Sequence, residues 1–440
     1  VPSTINKRST NNYQSFLFQF IHAADIHLDS PLRGLEQYEG APVQQIRSAS
    51  RRALENLVAL AIQEQVRFVL IAGDLYDGDW KDYQTGLFFV KQAARLREAK
   101  IPLLIIAGNH DASNKMTRSL QLPDNVKLFS SSEPETEILK SIDVAIHGQS
   151  FAAAEVLHDL SQGYPAPIKG CFNIGLLHTS LDGREGHDSY APCTLDRLKL
   201  KGYDYWALGH IHQREILCDD PFIAFSGNLQ GRHIRETGPK GCFLVTVRGN
   251  QTVEADFREL DIMRWAKVGV DLTGVKETDE SLELVAQELK CQQAQTQHLP
   301  LAVRIELHGS CGVHGHFQAQ REFWTNQFRG IAIDIGQGEI WIEKVKFLTH
   351  DSAAKKRSVD DSSLGELLEL FEAIRQNPRE LIEIGFDFSK VSKKLPQELV
   401  DWHGDDKDWL NGVIDEAESL LMQRLLHPPT SAPVRKGGRA

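Results

Sequence analysis

The sequence predicts an α/β fold: a two-sheet sandwich flanked by helices, then a smaller α/β unit, then a helical C-terminal region. Three observations predict it. Apolar runs alternate with amphipathic helical patterns over residues 16–111, as in strand–helix–strand units with a mainly parallel start. Further strand-like runs then crowd together with few helices until about residue 254. From about residue 251 a second, shorter alternation begins and gives way to leucine-rich helical stretches. The chain has 440 residues, 41% of them hydrophobic, which supports a sizeable core and exceeds what one compact domain uses.

Residues 1–15 are polar, lack an apolar signal segment and read as a disordered leader. The first domain is assigned to residues 16–250. "FLFQFIHAAD" (16–25) is a short apolar run ending in Asp25. "VQQIRSASRRALENLVALAIQEQ" (43–65) places Ile46, Ala49, Ala53, Leu57, Leu60 and Ala61 at three- and four-residue steps, the stripe of a surface helix. "VRFVLIAGD" (66–74) is continuously apolar, a strand covered on both faces. A helix over about 82–99 turns Phe88, Phe89, Ala93 and Leu96 inward, and "IPLLIIAGNHD" (101–111) is another buried run that stops at a glycine. Strand-like segments follow at 144–151, 171–180, 203–212, 222–230 and 241–249. Residues 251–350 form the smaller α/β unit, with strands in "KVGVDLTG", "LAVRIELHG" and "EIWIEKVKFLT" and helices near 278–290 and 317–328. Residues 351–363 read as a linker, 364–426 as helical, and 427–440 as a disordered tail.

Six scattered cysteines with no C-x-x-C pair fit a reducing, cytoplasmic protein rather than a disulfide framework. No run is long and apolar enough to span a membrane. A formal charge of −11 argues against a passive nucleic-acid coat, which binds by Lys/Arg neutralisation. It leaves open an enzyme that reaches phosphates through bound cations.

The chemistry lies in the ends of the strands. Five apolar runs each finish in polar residues: Asp25 and His27, Asp74 and Asp77, Asn109-His110-Asp111, His178, and His210 and His212. Parallel strands bring their carboxyl ends to one edge, where α/β proteins build sites. A single aspartate after a strand is usually a helix cap, and a histidine inside a buried run, such as His147, is usually a hydrogen-bonded structural residue. Five oxygen- and nitrogen-bearing ends together are not explained by caps. Pairs at i and i+2 on an extended segment, Asp25 with His27 and His210 with His212, point the same way and suit adjacent metals.

These motifs, D-x-H, G-D-x-x-D, G-N-H-D, a lone histidine and G-H-x-H, resemble the signature of the calcineurin-like metallophosphoesterases. The text around them, including "FIHAADIHLDSPL", "PLLIIAGNHD", "WALGHIH" and "SGNLQGRHIRETGPKGC", is similar to the Mre11/SbcD-type DNA repair exonucleases, most of all the bacterial YhaO-like subgroup. The resemblance covers roughly residues 16–250 and rests beyond that on layout. It implies a metallophosphoesterase sandwich with a capping domain and a dinuclear site. One ion would take Asp25, His27, Asp74 and His212, and the other Asp74, Asn109, His178 and His210, with Asp74 as bridge. His110 would act on the scissile phosphate without ligating metal. Asp77 stands where the archaeal and eukaryotic Mre11 pattern has histidine, and together with Asp111 it reads as a support for a ligand or a water.

The ligand types suit Mn2+, with Fe2+ or Zn2+ as alternatives, and the lack of thiolates argues against a soft site. The implied reaction is hydrolysis of DNA phosphodiesters, as a 3′→5′ exonuclease in repair; a small-substrate phosphodiesterase or nucleotidase is the competing enzyme reading, and a non-catalytic subunit the third. In "SGNLQGRHIRE" (226–236), Gly227 and Gly231 let the chain turn near the site, and either Arg232 and His233 reach phosphate or the stretch is a strand-to-loop turn with Arg232 in a structural salt bridge. Arg184 and His187 are weaker candidates. The resemblance further implies DNA as partner, an SbcC/Rad50-like coiled-coil ATPase gripped by the C-terminal helices, and a homodimer. Leu364, Leu367, Leu368, Leu370 and Phe371 form an apolar stripe that either meets such a partner or packs on its own domain.

Overall fold

The computed structural model describes residues 18–30, 43–77, 83–112, 121–181, 190–249, 252–296 and 299–351, with Leu367, residues 370–375, Ile414, Ala417, Glu418 and Leu421. The leader at 1–15, Arg184, His187, residues 352–363 of the linker, Leu364, Leu368, most of the helical region and the tail lie outside the described residues. One compact unit comprises residues 1–271, 279–308 and 322–348; a second comprises 272–278, 309–321 and 349–440.

In chain order the elements are β1 (Phe18–Ala23), α1 (Val43–Gln63), β2 (Phe68–Ala72), α2 (Gln84–Glu98), β3 (Leu103–Ile106) and the short turn of helix α3 (Asn109–Ala112). Then come β4 (Val126–Leu128), β5 (Glu135–Leu139), β6 (Val144–Gly148), β7 (Phe172–His178), α4 (Leu195–Leu200), β8 (Tyr205–Gly209), β9 (Glu215–Asp219), β10 (Phe222–Phe225), β11 (Gly241–Val247) and β12 (Val253–Glu259). The last group is β13 (Arg264–Asp271), α5 (Thr278–Gln295), β14 (Leu301–Cys311), α6 (His314–Ala319), α7 (Arg321–Gly336) and β15 (Ile340–Asp351). Two six-stranded sheets run β12-β11-β1-β2-β3-β4 and β5-β6-β7-β8-β10-β9, and a three-stranded sheet runs β13-β14-β15.

The sandwich follows from strands that are apolar on both faces. Along β2, Phe68, Leu70 and Ala72 join Ile174, Leu176, Tyr205 and Ala207 in the core between the sheets. Val69 and Ile71 point the other way, to Ala53 and Leu57 of α1 and Phe89 of α2. On the outer side of the second sheet, Leu177, Trp206 and Leu208 pack with Leu160, Tyr164 and Leu198. Continuous apolar runs are therefore the mark of strands with a layer on each side. The buried face of α1 is wider than its three- and four-residue stripe: Leu54 and Val58 are buried with Ala49, Ala53, Leu57 and Ala61, whereas Leu60 is only partly covered.

Two features depart from the sequence expectation. The first sheet continues past residue 250, because β12 pairs antiparallel with β11 from Gly241↔Glu259 to Val247↔Val253. Strands β4, β5 and β9 did not stand out as apolar runs, since β4 and β5 are at most partly buried and β9 includes exposed residues. Edge strands need only one covered face and so carry a weak hydrophobic signal. In the second unit, Phe371 and Ile414 are buried while Leu370 and Leu421 are exposed, and Arg375 pairs with Glu418.

The pairs β1–β2, β2–β3, β7–β8 and β6–β7 are parallel, so the carboxyl ends of β1, β2 and β3 lie on one edge of their sheet, and those of β7 and β8 on one edge of theirs. Those edges meet. A Cβ on Gly209, at the end of β8, would sit 1.9 Å from the carbonyl oxygen of Ala72 at the end of β2. Gly209→Ala is therefore expected to force the sheets apart at this edge and to cost about 1–3 kcal/mol or more of stability, measured by denaturant unfolding. An unchanged midpoint would show that the close approach is not required.

Candidate metal centre

At that edge the backbone, before any side chain, sets the donors. Asp25, His27, Asp74 and His210 all have left-handed φ, at 50°, 45°, 51° and 101°. The extended i, i+2 geometry expected from the sequence thus gives way to sharp turns that re-aim each side chain. Such conformations cost of order 1–3 kcal/mol each unless the surroundings fix them. Here the two loops after β1 and β2 are laced together: the N–H groups of Asp25, His27 and Leu28 donate to the carbonyls of Gly73, Asp74 and Leu75 at 3.1, 3.0 and 2.9 Å. Asp29 anchors the first loop from outside, accepting from Arg51 through both carboxylate oxygens and from Thr85 Oγ1 at 2.6 Å. A Cβ on Gly108 would fall 2.2 Å from Asp74 Oδ1, so only glycine leaves room for the carboxylate there.

The side chains from all five strand ends converge. Three sets of donor atoms lie close enough to hold a cation: Asp25, His27 and His212; Asp74, His178 and His210; and His27, Asp74 and His110. His27 Nε2 faces His212 Nε2 at 3.1 Å and lies 3.7 Å from Asp74 Oδ2. His178 Nε2 lies 2.9 Å from Asn109 Oδ1 and 3.5 Å from Asp74 Oδ2. Its other nitrogen, Nδ1, donates to the carbonyl of Ala72 at 2.9 Å, which leaves Nε2 with a free electron pair toward the centre. Asp25 accepts from the backbone N–H of His210 at 3.1 and 3.0 Å, tying the loop after β1 to the one after β8.

Electrostatics favour a cation here. Asp25, His27, Asp74 and His178 are buried. Burial pushes the Asp25 carboxyl up, and the charge of Asp74 pushes it further; burial likewise raises Asp74. The same burial lowers His27 and His212 and takes His178 down to about 4. Neutral imidazoles and two crowded carboxylates are what a divalent ion accepts, and its charge relieves the crowding. The oxygen and nitrogen donors, with no thiolate among them, fit that ion.

The other expected residues fall around this centre. His110 donates from Nδ1 to Asp77 Oδ1 at 2.8 Å, and its backbone N–H donates to Asp74 Oδ1 at 3.0 Å. Burial works to lower His110, but the Asp77 hydrogen bond and the Asp74 charge outweigh it and raise the ring. Asp77 also lies 3.5 Å from His27 Nδ1 and accepts from Ser30 Oγ. Burial alone would raise Asp77; its histidine neighbours hold it far below the usual carboxylate range. Asp111 caps the loop after β2, accepting from the N–H groups of Leu75, Tyr76 and Gly108 at 3.1, 2.8 and 3.0 Å. Burial, then the Asp74 charge, raises it to about 7. The Arg232 guanidinium reaches Ser30 Oγ at 3.3 Å and Asp77 at 3.5 Å, whereas His233 is half exposed. His147 is structural, bonded to Thr136 Oγ1 and Asn173 Oδ1 and stacked on Tyr203.

Sequence reasoning missed Glu236. Its Oε1 accepts from His212 Nδ1 at 2.7 Å. Being the one acid in "GRHIRE", a stretch already placed near the site, was the available signal.

Comparison with known proteins agrees with this geometry. Residues 18–214 match the family described as calcineurin-like phosphoesterase, and 265–350 match the middle domain of metallophosphoesterase YhaO. An uncharacterized metallophosphoesterase YhaO of Bacillus subtilis is 36% identical over 295 residues, spanning 66% of this chain and 72% of its own. The chain belongs to the calcineurin-like metallophosphoesterases. This metallophosphoesterase is also 29% identical over 263 residues to the DNA double-strand break repair protein Mre11 of Sulfurisphaera tokodaii, covering 55% of this chain and 64% of that one. It is 24% identical over 277 residues to a subunit of the nuclease SbcCD of Staphylococcus epidermidis, covering 57% and 71%. All six cysteines are free, and among the described residues no helix is long and apolar enough to cross a membrane.

Because Asp25, Asp74 and Asp111 are raised, the metal-free fold binds protons that the unfolded chain releases. Their contribution to stability is present below the ordinary carboxylate range and is lost as pH rises, for Asp111 through about 7. A divalent ion held by Asp25 and Asp74 would replace those protons. Its stabilisation of the fold is therefore expected to grow as pH rises above the ordinary carboxylate range, with proton release on binding. Thermal melts with and without Mn2+ over that rise in pH check this; a pH-independent increment would contradict the ligand role of the two carboxylates.

Proposed function

We propose that this metallophosphoesterase hydrolyses DNA phosphodiesters with two divalent ions, as a 3′→5′ exonuclease of DNA repair. The observation that carries the hydrolase part is the convergence of seven donors from five strand ends: Asp25, His27 and His212 form one group, Asp74, His178 and His210 a second, and Asn109 meets His178. Two relatives are named as a DNA break repair protein and as part of a nuclease, and those names support the choice of DNA. By the same likeness a coiled-coil ATPase is the proposed partner, engaged by the C-terminal helices. A reducing, cytoplasmic setting fits the six free cysteines.

In this reading Asp25, His27, Asp74 and His212 hold one ion, and Asp74, Asn109, His178 and His210 the other, with Mn2+ the ion best suited to such donors. Bound there, the pair supplies an acidified water for in-line attack and charge neutralisation at the phosphate oxygens. The chain's own residues do the rest. His110 is the acid: Asp77 holds its Nδ1–H and favours the charged ring, so that the far side of the ring delivers a proton to the leaving alkoxide as the P–O bond breaks. Arg232, beside Asp77, offers positive charge, and the half-exposed His233 a ring N–H donor, to neighbouring phosphates of the strand.

End-labelled duplex and single-stranded DNA, incubated with the protein and Mn2+ alongside a small aryl phosphodiester, tests the substrate. Stepwise shortening from the 3′ end is expected. Turnover of the small ester alone would sink the DNA assignment and favour a small-substrate phosphodiesterase. His110→Ala should lower turnover by about 100-fold or more while metal content stays at the wild-type level. Loss of metal in that variant would refute the role of His110 as an acid that ligates no ion.

A further inference from the structure

We propose that Glu236 is a positioning residue for the metal centre: its carboxylate fixes the tautomer and ring orientation of His212, leaving Nε2 without a proton where it faces His27. The inference rests on the dinuclear reading above and concerns a residue outside the five strand-end motifs that supply the donors.

Glu236 is 6% exposed, and the contacts of its carboxylate are with nitrogen donors. Oε1 takes the 2.7 Å bond from His212 Nδ1, with His233 Nε2 at 3.3 Å and an Arg232 guanidinium nitrogen at 3.7 Å. Oε2 accepts from Asn228 Nδ2 at 2.9 Å and from the backbone N–H of Arg232 at 2.7 Å. A carboxylate can only accept, so the His212 proton must sit on Nδ1 and the lone pair on Nε2, the atom 3.1 Å from His27 Nε2. The two donors on the other Glu236 oxygen, Asn228 Nδ2 and the Arg232 N–H, likewise require it to accept.

The segment that carries Glu236 is held in place independently of any ion. Gln230 Nε2 donates to the carbonyl of Met263 at 2.8 Å, and Gln230 Oε1 accepts from the N–H of Ile262 at 3.0 Å. Trp265 Nε1 donates to the carbonyl of Gly231 at 3.0 Å. Lys240 Nζ holds the His212 backbone from the other side, donating to its carbonyl at 3.1 Å. The turn is pre-formed, and Glu236 presents a fixed acceptor to a histidine whose backbone is also fixed.

The same geometry makes Glu236→Gln an informative variant. Two strong donors, Asn228 Nδ2 and the Arg232 N–H, face one oxygen, so the glutamine oxygen belongs there and its NH2 turns to His212 Nδ1. His212 must then accept at Nδ1 and carry its proton on Nε2, which blocks the atom that would ligate. Glu236→Ala removes the acceptor but imposes no donor.

The experiment titrates Mn2+ into the full chain, wild type, E236Q, E236A and H212A, and reads stoichiometry and affinity by calorimetry. The tautomer of His212 is read by nitrogen-15 NMR of the metal-free protein, with H212A assigning the signal. Wild type is expected to take two ions with His212 protonated on Nδ1. E236Q should move that proton to Nε2 and weaken one of the two binding steps by about 10- to 100-fold, more than E236A does. A purely structural role predicts the reverse order, because glutamine matches glutamate in size and alanine does not. Wild-type binding by E236Q, an unmoved tautomer, or a larger loss in E236A would overturn the inference. If E236A does not fold, the tautomer and affinity of E236Q still decide it. A wild-type chain that takes up no Mn2+ would instead overturn the dinuclear reading on which the inference rests.

Discussion

The constraint on which the rest of the first unit depends is the burial of the Asp74 carboxylate where strand ends of the two sheets meet. A charge there is costly unless paired, and among the described residues no lysine or arginine forms an ion pair with it; His27 and His178 stand beside it instead, neutral by burial. The sequence bends around that carboxylate in several ways. Gly108 clears the space for its oxygen, the His110 N–H donates to it, and its own backbone takes a left-handed turn. The fold therefore gathers acidic and imidazole donors of the kind a divalent cation would complete, and the sandwich core behind them supplies the rigidity.

That rigidity has a visible route. The loops after β1 and β2 are joined by three backbone hydrogen bonds, and Asp111 ties the loop after β2 to the turn after β3. Asp25 then ties β1 to β8 through the His210 N–H, and His178 ties β7 to β2 through the Ala72 carbonyl. Both sheets are thus stitched to each other at the edge that carries the donors, and these bonds hold the left-handed residues there. The site is built by backbone as much as by side chains.

Much of this was legible in the sequence because buried parallel strands leave a strong trace. A run such as "VLIA" has apolar residues on both faces, and the first polar residue after it marks the sheet edge; reading those ends located the donors that the fold brings together. What stayed hidden has no such trace. The edge strands β4, β5 and β9 bury little and carry little pattern, and β12 lies where the change of composition suggested a boundary. Glu236 and Asp29 act through long-range contacts, to His212 and to Arg51 and Thr85, which no local periodicity encodes. Left-handed turns at Asp25 and His27 were equally unreadable, because neither residue requires such a conformation.

Asp77 shows how one substitution type can redirect a site. It stands between two imidazoles, 2.8 Å from His110 Nδ1 and 3.5 Å from His27 Nδ1, and Ser30 donates to its other oxygen. A histidine in this place, as in the archaeal and eukaryotic pattern, would bring a third ring with one acceptor nitrogen at most and no negative charge. An aspartate brings a full charge that its neighbours keep ionised. Under the proposed mechanism the difference falls on His110: beside a carboxylate its ring holds a proton more tightly and is aimed by a bond to one nitrogen. Under that proposal Asp77 serves the acid through His110, while its second contact, to the ring of His27, reaches the donor set of the ions as well.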